Sequence, residues 1–366
     1  MRALAARALR EPSALERILP LAQPSSPYGD LVPLGFLLLA LDRAAEARGS
    51  EAIAGEAQRV RERLMQRRTR GLWAYQSGDL ETSIDSGLIL LSVRDRASID
   101  ALERFATGDG RYVPQLFTRG VEPGKMTVRD SLLHWCQPDY SIACLVRALR
   151  ARAGLPAVTP LSVLSDGFET RAGLYLANPY FPDWLLALAL EGDAGGAALR
   201  ERLQREILAG AQPDGTFGRF DAPLSTALAV LALRALGTST AVLARHVRAL
   251  VDLTESDATA TPFYSTEQIA WSRLPPWELL ARLTAGRSEQ LIRAGGAEHV
   301  ITWYRDPEGL VVQPLIALAL LGASAAGEEP GRADEPPKAR YLCSTAADYI
   351  ANHALAPCLE PPMVSA

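Results

Sequence analysis

The sequence predicts an all-α protein, an α/α toroid in which six to seven helical hairpins form an inner and an outer ring of helices. Strongly apolar runs recur along the 366 residues, and charged amphipathic stretches separate them. No segment shows the sustained two-residue alternation that is typical of strands. A helix that is apolar on nearly all sides must be buried, whereas one with a charged face lies at the surface. The alternation therefore predicts buried inner helices and half-exposed outer helices.

The predicted inner helices follow from the positions of the apolar runs. Their starts lie after Asp30, at Thr82, Asp139, Asp183 and Ala222, near Glu267, and at Val311. The outer helices are predicted where Arg and Glu alternate with aliphatic residues at helical spacing. Such stretches include Glu51–Arg68, Ala197–Ala209 and Ser239–Leu253.

The whole chain, residues 1–366, is expected to form this single domain. The segment Gly322–Lys338 is rich in Gly, Glu and Pro and predicts a loop. Ala339–Ala354 then predicts a final helix, and Pro357–Ala366 an extended tail.

Composition excludes several classes of function. A net charge of -4 and a pI near 5.7 provide no general attraction for nucleic acid. Four cysteines without a CxxC pair do not indicate a disulfide framework, so a cytoplasmic location is expected. The N-terminal segment lacks the uninterrupted apolar core of a signal peptide, and no run has the length of a membrane span.

Two turns before predicted inner helices share a pattern of Gln, a short spacer, Gly, any residue and an aromatic residue. They are Gln66-Arg-Arg-Thr-Arg-Gly71-Leu-Trp73 and Gln212-Pro-Asp-Gly215-Thr-Phe217, and Gly110-Arg-Tyr112 is a shorter variant. The pattern resembles the QW motif of squalene and terpene cyclases and the related repeats of protein prenyltransferase β subunits. The resemblance spans roughly residues 25–325 and implies the toroid more directly than it implies an activity.

The resemblance also indicates that the usual proton-donating Asp is replaced in this sequence. In class II terpene cyclases, an inner helix begins with Asp-x-Asp-Asp-Thr-Ala, and the middle Asp protonates the substrate. The corresponding segment here is Thr82-Ser83-Ile84-Asp85-Ser86-Gly87, so Ile84 occupies the place of the proton donor. Asp85 and Ser86 match the final Asp-Thr pair, which also suits helix capping.

Metal chemistry is expected to be absent, although zinc or magnesium is not excluded. No Asp-rich motif of class I terpene synthases is present. Donor side chains do gather at Asp130, His134, Cys136 and Asp139, without the prenyltransferase spacing. Cys136 and Cys144 are interpreted as small buried residues.

A binding site is expected where the inner helices begin, because carboxylates and aromatic residues recur there. The candidate catalytic residues are Asp85, Asp139 and Asp183. The candidate substrate-binding residues are Tyr75, Asp79, Glu81, His134, Trp135, Tyr180, Trp184, Asp221, Tyr264, Glu267 and Tyr304. The loop 108–129 adds Arg111, Arg119, Lys125 and Arg129, which could hold an anionic group.

Three functions fit this arrangement. The favoured hypothesis is an isomerase- or lyase-type enzyme that cyclises an isoprenoid or another apolar polyunsaturated substrate through a non-standard acid. The alternatives are a zinc-dependent prenyltransferase-like enzyme and a non-catalytic toroid that binds lipid or acts as a scaffold. A sugar-processing toroid is disfavoured, because six Trp and no evident pair of acids are a poor match to a carbohydrate groove. The partner is a small apolar molecule, and the sequence does not fix the oligomeric state.

Overall fold

The computed structural model describes residue 29 and residues 31–74, 80–116, 137–254, 260–268, 289–294, 297–306, 309–321 and 335–355. Six buried helices in these ranges form the inner ring. They are α1 (Leu31–Arg48), α3 (Ser83–Val93), α5 (Tyr140–Arg152), α7 (Tyr180–Ala189), α9 (Ala222–Ala235) and α11 (Val312–Leu320). Each packs on the next, and α11 packs on α1, so the ring is closed. The predicted α/α toroid is confirmed.

The outer helices each have one buried and one exposed face. They are α2 (Glu51–Gln66), α4 (Arg96–Ala101), α6 (Leu161–Asp166), α8 (Ala197–Ala209) and α10 (Thr240–Leu253). On α2, the buried positions Ile53, Ala57, Val60 and Leu64 recur at spacings of three and four residues. The inner helices instead bury nearly every residue, as the sequence predicted.

Small residues allow the inner helices to pack closely. A Cβ on Gly35 of α1 would lie 3.1 Å from the Cα of Ile89 on α3. A Cβ on Gly87 of α3 would lie 2.5 Å from the Leu145 side chain on α5. At these two contacts, glycine therefore brings one helix within reach of the next.

The two Gln-Gly-aromatic turns have equivalent structures. Gly71 and Gly215 have φ values of 90° and 87°, a conformation that other residues rarely adopt. The aromatic residues Trp73 and Phe217 are fully buried. Trp73 Nε1 donates a 2.7 Å hydrogen bond to the carbonyl of Leu64, in the last turn of α2. The Trp73 side chain thus adds a second hydrogen bond to a helix-terminal carbonyl that also accepts the backbone N–H of Arg67 at 3.1 Å.

The start of one predicted inner helix lies on a strand instead, and residues 269–288, which include the rest of that run, lie outside the described residues. The run near Glu267 lies at the end of β1 (Ala260–Gln268), which pairs antiparallel with β3 (Ala297–Asp306), and β3 pairs with β2 (Glu289–Ala294). The expectation of no strands was therefore wrong for this segment. Its aromatic and β-branched residues, with few strong helix formers, favour a pleated strand.

The C-terminal segment also differs from the prediction. Ala339–Ala354 forms a 3₁₀ turn (Ala339–Tyr341), a short helix α12 (Ala346–Tyr349) and a π-helical turn (Ile350–Ala354) rather than one helix. The first part of the predicted loop, 322–334, and the predicted tail, 357–366, lie outside the described residues. Within the described residues, no helix has the length and apolarity needed to cross a membrane.

Candidate active site

The first turns of the inner helices α3, α5, α7 and α9 lie at the same end of the ring. The backbone N–H of Ser83 donates to the carbonyl of Pro114 at 2.8 Å, and the backbone N–H of Asp139, directly ahead of α5, donates to the carbonyl of Tyr112 at 2.8 Å. The backbone N–H of Leu174, ahead of α7, donates to Oδ2 of Asp139 at 2.5 Å. Asn178 Nδ2 donates to Oγ of Ser225 on α9 at 2.8 Å. These contacts join successive helix starts into one mouth of the toroid.

At the start of α3, Thr82 is the capping residue and Asp85 is not. Thr82 Oγ1 accepts a 3.0 Å hydrogen bond from the backbone N–H of Asp85. The Thr82 N–H donates to the carbonyl of Trp73 at 3.2 Å. It therefore does not donate to the Asp85 carboxylate, as it would in a reciprocal capping box. Asp85 Oδ2 instead accepts the hydroxyl of Thr82. The Asp85 side chain is therefore left facing a neutral hydroxyl.

The surroundings of Asp85 favour its neutral form. Removal from water raises its pKa from 3.8 to about 6, although the Thr82 hydroxyl and backbone N–H bonding lower it in part. Among the residues that the structure describes, no cationic side chain contributes to this shift. The residue is nevertheless partly exposed. It is thus a carboxyl in a poorly solvated setting that can exchange a proton near neutral pH.

A comparison of two repeats shows what is particular to Asp85. Ser86 Oγ bonds the backbone of Trp73, and Thr226 Oγ1 accepts from the backbone N–H of Phe217 at 3.0 Å, so these hydroxyls are structurally equivalent. Asp85 therefore corresponds to Ser225. The Ser225 hydroxyl is used both as acceptor and as donor. It accepts a hydrogen bond from the Asn178 amide and donates one to the carbonyl of Phe220. In the α3 repeat the same position carries an ionisable group, Asp85, whose side chain bonds only Thr82 of its own segment among the described residues.

Asp139 has a structural task as well as a perturbed pKa. It is the N-cap of α5, with Oδ1 accepting from the N–H of Ile142 at 2.9 Å and Oδ2 from that of Leu174. Burial raises its pKa to about 6, while these backbone N–H groups oppose the shift. Oδ1 therefore caps α5, and Oδ2 joins the start of α5 to the segment ahead of α7.

Asp183 lies in a fully buried ionic network. Arg171 Nε donates to Asp183 Oδ1 at 2.7 Å, and the hydroxyl of Tyr341 donates to Oδ2 at 2.5 Å. Arg171 also binds Glu206 at 2.8 Å, and a nitrogen of Arg340 lies 3.6 Å from Asp183. Burial disfavours the charge on Asp183, but Arg171 and Arg340 outweigh it, so the pKa of Asp183 is lowered. These contacts favour an ionised, structural carboxylate rather than a proton donor.

Asp221 connects the sheet to the ring. Its Oδ2 accepts the N–H of Thr261 on β1 at 2.7 Å, and burial raises its pKa to about 6. Tyr264 on the same strand is fully buried, and its N–H donates to the carbonyl of Tyr175 at 3.0 Å. Tyr304 of β3 is half-buried and lies opposite Phe263 of β1. The sheet therefore packs over the mouth beside α7 and α9.

Three other candidate residues have packing or ionic partners. Glu81 is buried and binds Arg70, whose contact lowers the pKa of Glu81 although burial opposes this. The fully buried ring of Tyr180 stacks on Tyr341 with centroids 4.8 Å apart. Trp184 is 4% exposed and joins the central aromatic cluster described below.

Several predicted residues lie outside the described residues. They are Tyr75, Asp79, His134 and Trp135, together with Arg119, Lys125, Arg129, Asp130 and Cys136. Glu267 lies on β1, where only the backbone is described. Arg111 pairs with Asp109 on the surface at 3.1 Å. Cys144 is fully buried, as expected, and burial raises the pKa of its thiol.

Within the described residues, no group of three metal-ligating side chains is found. The zinc hypothesis for Asp130, His134 and Cys136 therefore stays a prediction.

The centre of the ring holds an aromatic cluster that the sequence analysis did not identify. Phe36 of α1 lies 6.4 Å from Phe181 and 6.4 Å from Trp184, both on α7, between ring centroids. Phe181 also lies 5.9 Å from Phe263 of β1. The partners of Asp183 were missed as well, because Arg171 and Tyr341 are 170 residues apart and carry no shared local signal.

Comparison with known proteins supports the fold. No protein-family model and no curated protein matches the chain. A solved protein from Actinoplanes is 16% identical with a TM-score of 0.54, over 78% of this chain and 89% of that chain. The type II terpene cyclase MstE from Scytonema, in its apo form, is 16% identical with a TM-score of 0.55, over 87% of this chain and 98% of its own.

A variant of MstE in complex with its substrate, geranylgeranyl dihydroxybenzoate, is 15% identical with a TM-score of 0.56, over 88% and 97% of the two chains. These likenesses establish a terpene-cyclase-like α/α toroid.

Proposed function

We propose that this protein cyclises an isoprenoid or a similar apolar polyene, with Asp85 as the acid that starts the reaction. The observation that carries the proposal is the state of Asp85, which is partly exposed at the mouth and has a pKa raised to about 6 without a cationic partner in the described part of the chain. The fold likeness to a cyclase whose substrate is geranylgeranyl dihydroxybenzoate supports this substrate class.

Acid-initiated cyclisation requires a carboxylic acid and a site from which water is excluded. Asp85 transfers its proton to one carbon of a terminal double bond, whose π electrons form the new C–H bond. The neighbouring carbon becomes cationic, and a second double bond attacks it to close a ring. Loss of a proton from the cyclised cation then gives a product isomeric with the substrate, and solvent reprotonates Asp85.

The proposal is tested by product analysis in D₂O. Purified protein is incubated with geranylgeranyl dihydroxybenzoate and with linear isoprenoid alcohols of 10 to 20 carbons, followed by mass spectrometry. We expect a cyclic product with one incorporated deuterium. Asp85→Asn is expected to lower its formation by about 100-fold or more, since general acids contribute on the order of 10²–10⁴. Asp166→Asn, on the exposed end of α6, is the matched control.

Each outcome has a distinct meaning. Product formation at the wild-type rate in Asp85→Asn overturns the role of Asp85. Binding of these ligands without any product in the wild-type protein replaces catalysis with the non-catalytic lipid-binding alternative. Stoichiometric bound zinc, measured in the same preparation, would favour the prenyltransferase-like alternative.

A further inference from the structure

The side chain that contacts the Asp85 carboxyl, Thr82, is itself fixed in place. Thr82 is 6% exposed, its N–H donates to the carbonyl of Trp73 at 3.2 Å, and it forms an antiparallel bridge with Gln115. Its Oγ1 accepts the N–H of Asp85 at 3.0 Å, so the side chain is held by the helix start as well. The hydroxyl is therefore presented to the carboxyl in one orientation.

The hydrogen-bonding capacity of the Thr82 hydroxyl distinguishes the two oxygens of Asp85. A hydroxyl has one hydrogen to donate and two lone pairs that accept. One lone pair of Thr82 receives the Asp85 N–H, and among the described residues the hydrogen has one acceptor, Oδ2 of Asp85. A proton on Oδ2 would take this acceptor away and leave the Thr82 hydrogen unpaired. The contact therefore favours Oδ2 as the carbonyl oxygen of the neutral acid.

A second hydroxyl–carboxyl pair shows what a cation adds. Asp95, the N-cap of α4, accepts the N–H and the hydroxyl of Ser98 through Oδ2 at 2.9 and 2.7 Å, and it also binds Arg68 at 2.8 Å. Burial raises the pKa of Asp95, but Ser98 and Arg68 outweigh it, so this pKa is lowered. Asp85 has the hydroxyl without a cation from the described part of the chain. Its carboxyl can therefore keep a proton whose position the hydroxyl determines.

The charged side chains on the described segments around the start of α3 have partners of their own. Glu81 binds Arg70, and Asp139 accepts two backbone N–H groups. Residues 112–116 and the first turn of α1 carry no charged side chain. Within the described residues, the contact that distinguishes the two oxygens of Asp85 is thus the one with Thr82.

We propose that Thr82 is a positioning residue whose hydroxyl holds Oδ2 of Asp85 and directs the acidic proton onto Oδ1. This inference deepens the proposed function and rests on it, because it assumes that Asp85 donates the proton. When the O–H bond at Oδ1 breaks and the proton forms a C–H bond with the substrate, the carboxylate becomes charged. The hydrogen bond from Thr82 then strengthens, since bonds to an ionised acceptor are the stronger ones. The hydroxyl thus orients the acid and stabilises the anion that remains.

The test is the direction in which the Asp85 pKa moves when the hydroxyl is removed. Thr82→Val replaces the hydroxyl with a methyl group, and Thr82→Ser restores it. The pKa is followed by ¹³C NMR, and kcat and KM are measured with geranylgeranyl dihydroxybenzoate. Loss of a donor to the carboxylate raises the pKa, by about one unit, whereas loss of an acceptor for the acid proton would lower it. If Thr82→Val does not fold, Thr82→Gly replaces it, because Gly is well tolerated at an N-cap.

Thr345→Val is the matched control, since it removes the N-cap hydroxyl of α12, which accepts the N–H of Asp348 at 3.1 Å. In Thr82→Val we expect the raised pKa of Asp85 and a kcat lowered by about tenfold with KM unchanged, the effect of one hydrogen bond that strengthens in the transition state. Thr82→Ser and Thr345→Val should retain the wild-type values.

The outcomes separate this inference from the proposed function. A pKa of Asp85 that falls or stays unchanged in Thr82→Val overturns the assignment of the proton to Oδ1. A raised pKa with an unchanged kcat overturns the positioning role. If the pKa rises as expected but the wild-type protein forms no product, the orientation of the proton is supported and the proposed function is wrong.

Discussion

Asp85 and Asp183 occupy the first turns of two inner helices at the same end of the ring, yet their surroundings favour opposite charge states. Asp183 is fully buried between Arg171 and Arg340, and its pKa is lowered. Asp85 faces the neutral hydroxyl of Thr82, and its pKa is raised to about 6. The comparison shows that burial alone does not determine protonation, since the presence of a cationic partner reverses its effect. Of these two carboxyls, Asp85 is the one suited to donate a proton.

The largest expected effect comes from neutralising Asp183. Asp183→Asn leaves Arg171 buried with reduced compensation, and breaking a buried ion pair in this way costs about 3–5 kcal/mol of unfolding free energy. Urea unfolding at pH 7 measures the loss, with Asp166→Asn as the control. Because the folded-state pKa of Asp183 is lowered, its contribution is present above its unfolded pKa and is lost as the pH falls through the folded value. A loss below about 1 kcal/mol would show that the network is not a structural element.

A smaller effect of opposite sign is expected for Asp85. Its folded-state pKa is above the ordinary value of 3.8, so its contribution to stability is full below about pH 4 and is lost as the pH rises through about 6. Asp85→Asn removes the unfavourable charge present above pH 6. The variant should therefore be more stable than wild type at pH 8, by roughly 1–3 kcal/mol, with no gain at pH 4. Urea unfolding at both pH values measures this, and a destabilisation at pH 8 would contradict it.

The same comparison shows where sequence information was sufficient. The six inner helices were predicted because a helix buried on all sides is apolar on all sides, a property that each local segment carries by itself. Asp85 was identified as a candidate from its place in the repeat. The strand Ala260–Gln268 was missed because a short run with mixed apolar and polar residues fits either a helix or a strand.

The distinction between the two carboxyls could not be predicted, because it depends on tertiary contacts. Asp183 is ionised through Arg171, Arg340 and Tyr341, and the last two come from the C-terminal segment. The Asp85 carboxylate does not accept the backbone N–H of Thr82, because that N–H donates to the carbonyl of Trp73. Likewise, the meeting of Phe36 with Trp184 follows only once α1 and α7 are known to face each other across the closed ring.

The most direct test of the central claim is the titration of the Asp85 carboxyl by ¹³C NMR, with its resonance assigned by its loss in Asp85→Asn. We predict a pKa of about 6 for Asp85, while the Asp183 resonance stays that of an ionised carboxylate throughout the range from pH 5 to pH 8. A pKa of Asp85 at or below its ordinary value of 3.8 would contradict the account, because the residue would then hold no proton to donate near neutral pH.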